Sequence, residues 1–204
     1  MTDTGTLIVF SGPSGSGKGT ILSNFYENYA DDKIKYSVSA TTRSPRDGEI
    51  DGVNYYFKSK DEFENMIENN EFLEWASFCD NFYGTPKKAV VDMLENGNDV
   101  ILEIETVGAM NVKNNFPDAV MVFVLPPSVE ELKNRLSGRG TETKEVIDKR
   151  IETALGELPL AEKYDYILLN DEVESATERF WTIIRAERLK VGKNKKIISE
   201  VCKK

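Results

Sequence analysis

The chain has 204 residues, of which 26 are Lys or Arg and 35 are Asp or Glu, giving a formal net charge of −9 at pH 7. The length suits one domain with a sizeable core, and the negative balance argues against general binding to a nucleic-acid polymer, which depends on clustered positive charge. The sequence contains no histidine, which excludes mechanisms that use imidazole as base, nucleophile or metal ligand.

Cysteine usage and the absence of long apolar runs predict a cytoplasmic setting without membrane attachment. Cys79 and Cys202 are far apart and form neither a metal-binding spacing nor a disulfide framework. No apolar run approaches the roughly 20 residues of a membrane-spanning helix. The N-terminal residues MTDTGTLIVF also lack the basic flank of a signal peptide.

Short apolar runs rich in β-branched residues alternate with helical patterns, which is typical of a parallel sheet covered by helices on both faces. In chain order these runs are TLIVFS from Thr6, IKYSVS from Ile34, DVILEI from Asp99, AVMVFVL from Ala119 and YDYILL from Tyr164. Helix starts are predicted at SKDE from Ser59 and SVEE from Ser128, which have capping-box spacing. A third is predicted at Thr85-Pro86, where a cap precedes a proline in the first turn.

The first run is followed by GPSGSGKGT, residues 12–20, which has the spacing of a phosphate-binding loop between a strand and a helix. The glycines let backbone N–H groups point inward around a phosphate, and Lys18 can reach the β- and γ-phosphates. Gly19 stands where such loops usually carry the hydroxyl that contacts Mg²⁺, so we expect Mg²⁺ to be held mainly by ATP phosphates and water. The predicted ATP-binding residues of this loop are Gly12, Pro13, Ser14, Gly15, Ser16, Gly17, Lys18, Gly19 and Thr20.

Two regions interrupt the regular alternation within a single domain of residues 1–204. Residues 37–86 carry VNYYF and FLEWASF around one helical pattern, which predicts a small strand-rich insertion. Residues 128–162 include the polar stretch GRGTET, which predicts a lid. Residues 1–36, 87–127 and 163–204 are then the core, with a lysine-rich, solvated helix end and tail.

A second anion site is suggested by Arg43 and Arg46, which lie three residues apart in a loop and are followed by Tyr55. Two guanidinium groups on a turn can bind one phosphate through paired hydrogen bonds, and a tyrosine hydroxyl can add another donor. Taken alone, the two arginines fit a phosphate site and ordinary surface charge equally well.

Over essentially its whole length the chain resembles the guanylate kinase family, through the segments GPSGSGKGT, TTRSPRDGE, FLEWASFCDNFYGTP, LEIETVGA, NRLSGRGTET and LLND in that family's order. The resemblance implies an α/β P-loop kinase core, a parallel sheet flanked by helices, with an inserted mixed α/β GMP-binding region and a helical lid. It also implies transfer of the γ-phosphoryl group of ATP, with Mg²⁺, to GMP, with dGMP as a further expected acceptor. The expected assembly is a monomer or a homodimer.

The resemblance also implies roles for individual residues. Catalytic roles fall to Lys18, Arg43, Arg135, Arg139 and Arg150. GMP binding falls to Ser39, Arg43, Arg46, Tyr55, Glu74, Tyr83, Thr85 and Glu105. Asn170 matches an adenine-contacting position of the ATP site, although capping of the next helix explains it nearly as well. Trp75, Phe78 and Phe82 are expected to pack rather than to stack on the base.

Guanine can be distinguished from adenine by the polarity of its hydrogen bonds. Its N1–H and N2–H are adjacent donors for the Glu74 carboxylate, and its O6 can accept from the hydroxyls of Ser39 and Thr85. Adenine would set a lone pair against Glu74, and an unpaired buried carboxylate costs several kcal/mol in effect.

Glu103 and Glu105 alternate in LEIE, so both are expected on one face near the carboxyl end of a strand, where doubly wound sheets bind ligands. The family often has Asp in place of Glu105 and Gln in place of Val107. We assign Glu105 to the guanine side, with indirect Mg²⁺ contact open to either carboxylate.

Phosphoryl transfer to a monophosphate explains how the chain can work without histidine. The acceptor oxygen has a second pKa near about 6, so it needs no general base, and catalysis reduces to alignment and charge stabilisation. Two alternatives are an inactive guanylate-kinase-like module that binds phosphopeptides and a kinase for another nucleotide. The retained Gly12, Gly17 and Lys18 favour the enzyme over the module.

Overall fold

The computed structural model describes residues 4–78, 80–137 and 144–203, and it has an α/β fold whose main element is a five-stranded parallel sheet. The strands of this sheet are β1 (Leu7–Ser11), β2 (Ile34–Tyr36), β7 (Asp99–Glu103), β8 (Val120–Leu125) and β9 (Tyr166–Leu169). Their order is β2-β7-β1-β8-β9. All five lie within the apolar runs, which confirms the predicted parallel sheet.

Helices cover both faces of this sheet and form two separate hydrophobic cores. On one face, α1 (Lys18–Asn28) and α7 (Val173–Arg188) bury Phe25 and Phe180 against β1 and β8. On the other face, α3 (Lys87–Glu95) and α4 (Thr106–Asn115) contribute to a second core of aliphatic side chains. The strands β1 and β8 are apolar without alternation because both of their faces are covered.

The region predicted as an insertion contains a second, four-stranded sheet with the order β4-β3-β6-β5. Its elements are β3 (Ala40–Thr41), β4 (Tyr56–Phe57), α2 (Lys60–Glu68), β5 (Phe72–Phe78) and β6 (Asn81–Pro86). Phe63 of α2 packs against this sheet, with ring centroids 4.3 Å from Phe72 and 5.5 Å from Phe82. Phe82 is therefore a packing residue, as expected.

Residues after β8 form α5 (Val129–Ser137), then α6 (Lys144–Glu157) and a 3-10 helix (Leu158–Lys163). Leu132 and Leu136 of α5 pack with Ala154 of α6. The stretch GRGTET, with Arg139, lies outside the described residues.

Helix α7 is connected through Arg188 to the amino end of β7 and to the loop before β2. Arg188 Nε donates to Asp99 Oδ2 over 2.7 Å, and its Nη1 donates to Asp31 Oδ2 over 2.6 Å. A 3-10 helix (Val191–Lys193) and the exposed α8 (Lys195–Val201) follow, as predicted for a solvated end. No helix of the described ranges is both long and apolar enough to cross a membrane.

Two predicted helix starts are confirmed. Ser59 Oγ accepts from Glu62 N over 3.2 Å and Glu62 Oε2 accepts from Ser59 N over 2.7 Å, which completes a capping box. Ser128 Oγ accepts from Glu131 N over 3.0 Å at the start of α5.

The predicted cap at Thr85 is wrong. The helix α3 begins at Lys87 and has Pro86 as its N-cap residue, without a side-chain hydrogen bond. Thr85 still belongs to β6, and its hydroxyl donates to Glu74 on the neighbouring strand instead.

Candidate active site

A cleft of about 320 Å³ lies between the carboxyl ends of the main strands and the small sheet, within the size range of small-molecule sites. The residues that line it include ten of those predicted from the sequence, namely Ser14, Lys18, Ser39, Arg43, Arg46, Tyr55, Glu74, Tyr83, Glu105 and Arg150. The cleft therefore brings together one end of the phosphate-binding loop and the proposed second anion site.

The phosphate-binding loop connects β1 directly to α1, so that the first turn of the helix points its N–H groups at the loop. Gly17, the residue before α1, has φ +90°, a left-handed conformation that side chains disfavour. A Cβ atom at Gly17 would lie 2.2 Å from Asn170 Nδ2. Glycine is thus required here both for the backbone turn and for the close approach of Asn170.

Lys18 is buried and lies on the carbonyl groups of its own loop. Its Nζ donates to Gly12 O over 2.6 Å and to Pro13 O over 3.3 Å, and it is 4.0 Å from Glu105 Oε1. The ammonium group is therefore held at the loop that is predicted to bind phosphate oxygens.

Asn170 and Arg135 hold the outer side of the same loop. Asn170 Nδ2 donates to Ser16 O over 2.7 Å, and Arg135 Nη1 donates to the same carbonyl over 3.3 Å. Asn170 is 3% exposed, and it does not cap α7, whose N-cap residue is Glu172. Both side chains therefore contact the loop backbone rather than line the cleft.

Arg150 connects α6 to the phosphate-binding loop. Its Nη2 donates to Ser14 Oγ over 2.7 Å, and both residues line the cleft. A guanidinium group from the lid region therefore lies at the mouth of the predicted ATP site. The predicted contribution of Arg139 falls outside the described residues.

The second anion site contains two arginines and two tyrosines. The ring centroids of Tyr55 and Tyr83 are 6.1 Å apart, and the Arg43 guanidinium lies 5.5 Å from the Tyr55 ring. Burial raises the pKa of Tyr55, so its hydroxyl remains a donor at neutral pH. Arg46 is exposed on the same side of the cleft.

Glu74 on β5 and Thr85 on the neighbouring strand β6 belong to the small sheet. Glu74 is 6% exposed and Thr85 is fully buried. Thr85 Oγ1 donates to Glu74 Oε1 over 2.7 Å. Burial raises the pKa of Glu74, and this hydrogen bond only partly opposes the rise. A Cβ atom at Gly108 would lie 2.7 Å from Glu74 Oε2, so glycine leaves the room that the carboxylate occupies.

The hydroxyl of Thr85 is already engaged, which bears on its predicted contact with guanine O6. An ionised carboxylate only accepts, so Thr85 must be the donor to Glu74. Ser39 lines the cleft and is half-buried. Of the two residues, Ser39 lines the cleft, whereas the hydroxyl of Thr85 is bound to Glu74.

Glu103 and Glu105 both line the cleft, as expected from their spacing, although only Glu103 belongs to β7. Glu105 is the N-cap residue of α4. Burial raises the pKa of Glu103, and the nearby Lys18 opposes this rise. Two carboxylates beside a phosphate-binding loop fit Mg²⁺, which is usually held by one or two carboxylates, phosphates and water. Within the described residues no group of three or more acidic or cysteine side chains could hold a metal by itself.

The sequence reasoning missed two polar residues that shape the cleft. Tyr36 donates to Glu103 Oε2 over 3.4 Å, and Glu49 forms an ion pair with Arg43. Tyr36 is the last residue of β2, whereas the predicted strand continued to Ser39, so the sequence did not mark Tyr36 as a strand-end residue. The sequence did not predict that Glu49 pairs with Arg43, because this contact depends on how the turn between the two residues folds.

Comparisons with known proteins agree with this geometry. A family model described as guanylate kinase matches residues 4–187. The chain is 52% identical to the guanylate kinase of Caldanaerobacter subterraneus subsp. tengcongensis over 97% of this chain and 95% of that protein. It is 54% identical to the guanylate kinase of Clostridioides difficile over 96% and 95% of the two chains.

A solved structure shows the same fold. The crystal structure of guanylate kinase from Anaplasma phagocytophilum is 32% identical, with a TM-score of 0.78 over 94% of this chain and 90% of that chain. The fold class and the family resemblance are thereby confirmed. This chain belongs to the guanylate kinase family.

Proposed function

We propose that the protein transfers the γ-phosphoryl group of ATP to GMP, giving ADP and GDP as a step of purine nucleotide metabolism, and that dGMP is a second acceptor. The observation that carries the proposal is one cleft lined by Lys18 of the phosphate-binding loop and by Arg43 and Arg46 of the second anion site. Donor and acceptor phosphates held at these two places face each other across the cleft. That arrangement is what in-line transfer between two phosphates requires.

The ATP side of the proposal rests on residues 12–20 and on Arg150. The loop N–H groups and the α1 N-terminus receive the triphosphate, while Lys18 leaves the carbonyls of Gly12 and Pro13 to neutralise β- and γ-oxygens. When bound with ATP, Mg²⁺ would supply positive charge that lowers the repulsion between the phosphates. Glu103 and Glu105 are the side chains suited to accept hydrogen bonds from its water ligands.

The GMP side of the proposal rests on the two arginines and the two tyrosines. Arg43 and Arg46 neutralise the acceptor phosphate, and the hydroxyls of Tyr55 and Tyr83 donate to its oxygens. The acceptor is mostly a dianion at neutral pH because its second pKa is about 6. Alignment and charge stabilisation therefore replace general base catalysis.

Base recognition is proposed for Glu74, supported by Ser39 and Thr85. The buried carboxylate accepts hydrogen bonds from guanine N1–H and N2–H. These two donors replace the water molecules that burial excludes. Ser39, which lines the cleft, is proposed to donate to O6, and Thr85 is proposed to fix the orientation of Glu74 through its hydrogen bond. Glu105, exposed at the mouth of the cleft, is proposed to act on the guanine side.

The sub-parts of the chain divide the work in this proposal. Residues 37–86 bind GMP, residues 128–162 act as a lid with Arg135, Arg139 and Arg150, and the remaining residues form the core that binds ATP. Closure of the insertion and the lid around both substrates would exclude water and suppress ATP hydrolysis. Asn170 is proposed to stabilise the phosphate-binding loop of the ATP site by its hydrogen bond to Ser16 O.

The decisive experiment is a coupled assay of ADP release with GMP, AMP, CMP and UMP as acceptors. GMP should be converted with an efficiency at least about a hundredfold above that of AMP, because the pocket would leave Glu74 unpaired against adenine. Equal rates with several acceptors would indicate a different nucleotide kinase. GMP binding without turnover would indicate the phosphopeptide-binding module.

A further inference from the structure

We infer that Glu49 is a positioning residue that fixes which edge of Arg43 is presented to the acceptor phosphate; the inference rests on the proposed GMP site. Arg43 Nη1 and Nη2 donate to the two carboxylate oxygens of Glu49 over 3.0 Å and 2.9 Å. This is a bidentate pair between two side chains that are 16% and 18% exposed. Such a planar pair fixes orientation as well as charge.

The turn that carries Glu49 brings it back to the arginine loop. Glu49 N donates to Arg46 O over 3.0 Å, and Gly48 between them has φ +84°, which glycine adopts without strain. The Glu49 carboxylate in turn accepts from Arg46 N over 2.7 Å. One carboxylate therefore holds both arginines of the second anion site, Arg43 by its side chain and Arg46 by its backbone.

The ion pair with Glu49 leaves some N–H donors of Arg43 available to other acceptors. A guanidinium has five N–H donors. Two are bound by Glu49, and Nη1 also donates to Ser44 O over 2.7 Å. The remaining two, Nε–H and the second Nη2–H, are parallel on one edge of the guanidinium. The Tyr83 hydroxyl is a further polar group close to the Arg43 side chain. A phosphate can be bound through two of its oxygens by that edge.

Loss of Glu49 should therefore release Arg43 to rotate and to share its donors among other acceptors. The negative charge of Glu49 also repels a phosphate, so its removal has one unfavourable and one favourable effect on GMP binding. The orientation effect should dominate, because a hydrogen bond to a charged group contributes more than a screened, longer-range repulsion. Glu49 would thus act through Arg43 and not by direct contact with the nucleotide.

The test measures how much the phosphate adds to nucleotide binding. Dissociation constants for GMP and for guanosine are determined with the wild-type protein and with Glu49→Gln, and their ratio isolates the phosphate. We expect the guanosine constant to be unchanged and the ratio of the guanosine to the GMP constant to fall about tenfold in Glu49→Gln. Glu49→Asp, which keeps the charge on a shorter side chain, should recover part of the ratio.

A matched control is available in the same turn. Asp47 is exposed and makes no side-chain hydrogen bond or ion pair with any residue that the structure describes. Asp47→Asn removes the same charge, so it should leave the ratio within about twofold of the wild-type value. A fall as large as that of Glu49→Gln would show that loop charge, not the Arg43 contact, is responsible.

A second background tests whether Glu49 acts through Arg43. In an Arg43→Met protein, Glu49→Gln should leave the ratio unchanged or raise it, because the glutamine oxygen can still accept from Arg46 N while the repulsion of the phosphate is removed. An unchanged or higher ratio for Glu49→Gln in the wild-type background, or an equal fall in both backgrounds, would overturn the inference. A wild-type protein that binds GMP no better than guanosine would instead contradict the proposed function itself.

Discussion

Thr85 and Glu74 form a buried hydrogen bond of 2.7 Å across neighbouring strands, between a neutral hydroxyl and a carboxylate. Within the described residues Glu74 forms no ion pair. A buried carboxylate that is hydrogen-bonded only by neutral groups of one residue, Thr85, is under-satisfied until further donors arrive. Guanine carries two such donors on adjacent atoms, so recognition of the base can be tested at Glu74.

We expect Glu74→Gln to reduce the preference for GMP over AMP. The amide offers one acceptor and one donor in place of two acceptors, so one guanine donor would face an NH₂ group. A lost charged hydrogen bond of roughly 1.5–3 kcal/mol implies a fall of about tenfold to a hundredfold in the GMP efficiency. The ratio of kcat/KM for GMP to that for AMP is the quantity to measure.

The exposed Glu71, just before β5, provides a matched control for this substitution. Glu71→Gln should leave both efficiencies unchanged. If the GMP to AMP ratio is the same in Glu74→Gln as in wild type, Glu74 does not read the base.

The same substitution should make the ligand-free protein more stable at neutral pH. Burial raises the pKa of Glu74, so the folded state binds this proton more tightly than the unfolded chain does. Stability from this group is therefore present below the unfolded pKa and is lost as the pH rises through the folded pKa. Glutamine removes that loss and can still accept from Thr85.

Thermal unfolding of the two proteins across pH 4 to 8 checks this sign. The Tm of Glu74→Gln should equal that of the wild type near pH 4 and exceed it most near pH 8. For a chain of this size, each kcal/mol gained in the free energy of unfolding raises the Tm by about 2–4 °C. Other carboxylates, such as Glu103 and Glu157, titrate in both proteins and cancel in the difference. A difference that does not vary with pH would contradict the assignment.

Gly108→Ala should weaken GMP binding without weakening the fold. The new methyl group would lie 2.7 Å from Glu74 Oε2 and would push the carboxylate away from its place in the cleft. Alanine is the better residue inside a helix by roughly 0.5–1 kcal/mol, so stability should hold. We expect the KM for GMP to rise about tenfold while the KM for ATP stays unchanged.

The control for this change is Gly156→Ala in α6, where a Cβ atom would meet nothing within 4 Å. Kinetics of that variant should match the wild type. A Gly108→Ala protein with normal GMP kinetics would mean that Glu74 can move without consequence for base recognition.

Lys18→Met should abolish phosphoryl transfer and leave GMP binding largely intact. Lys18 belongs to the ATP side of the cleft, whereas Arg43 and Arg46 belong to the acceptor side. A fall in kcat of at least about a thousandfold is expected from the loss of a charge that stabilises the transferring phosphate. Calorimetry with GMP and a turnover assay separate the two effects, and the exposed Lys88→Met is the control. Substantial turnover in Lys18→Met would remove the assignment of the phosphate-binding loop.

Local rules in the sequence predicted the main sheet and the capping box at Ser59, because both depend on neighbouring residues. The main strands are unbroken apolar runs, and such runs form buried parallel strands wherever helices cover both faces. The two-residue strand Ala40–Thr41 was not predicted, because it has no pattern of its own and exists only through pairing with β4 and β6. Thr85 was misjudged as a cap since its partner, Glu74, is distant in the sequence.

The sequence pointed to candidate site residues, ten of which line one cleft, but it did not predict their mutual contacts. Motif spacing identified Lys18 and Arg43 as candidate groups for phosphate, and the family resemblance identified Glu74 as the candidate group for the base. The contact of Asn170 with Ser16 spans 154 residues, and the pair of Arg43 with Glu49 depends on one turn. Such contacts follow from the folded backbone and leave no trace in residue order.

The hydrogen bonds from Asn170 and Arg135 to Ser16 O have a consequence for the thermodynamics of nucleotide binding. Because hydrogen bonds within the protein itself connect the loop to α5 and to the residue after β9, we expect the backbone entropy of the loop to be lost during folding and not on association. ATP then needs to order little more than the Lys18 side chain. The protein should therefore bind triphosphate with a small heat-capacity change, and mutations that loosen Asn170 should lower ATP affinity without touching the nucleotide.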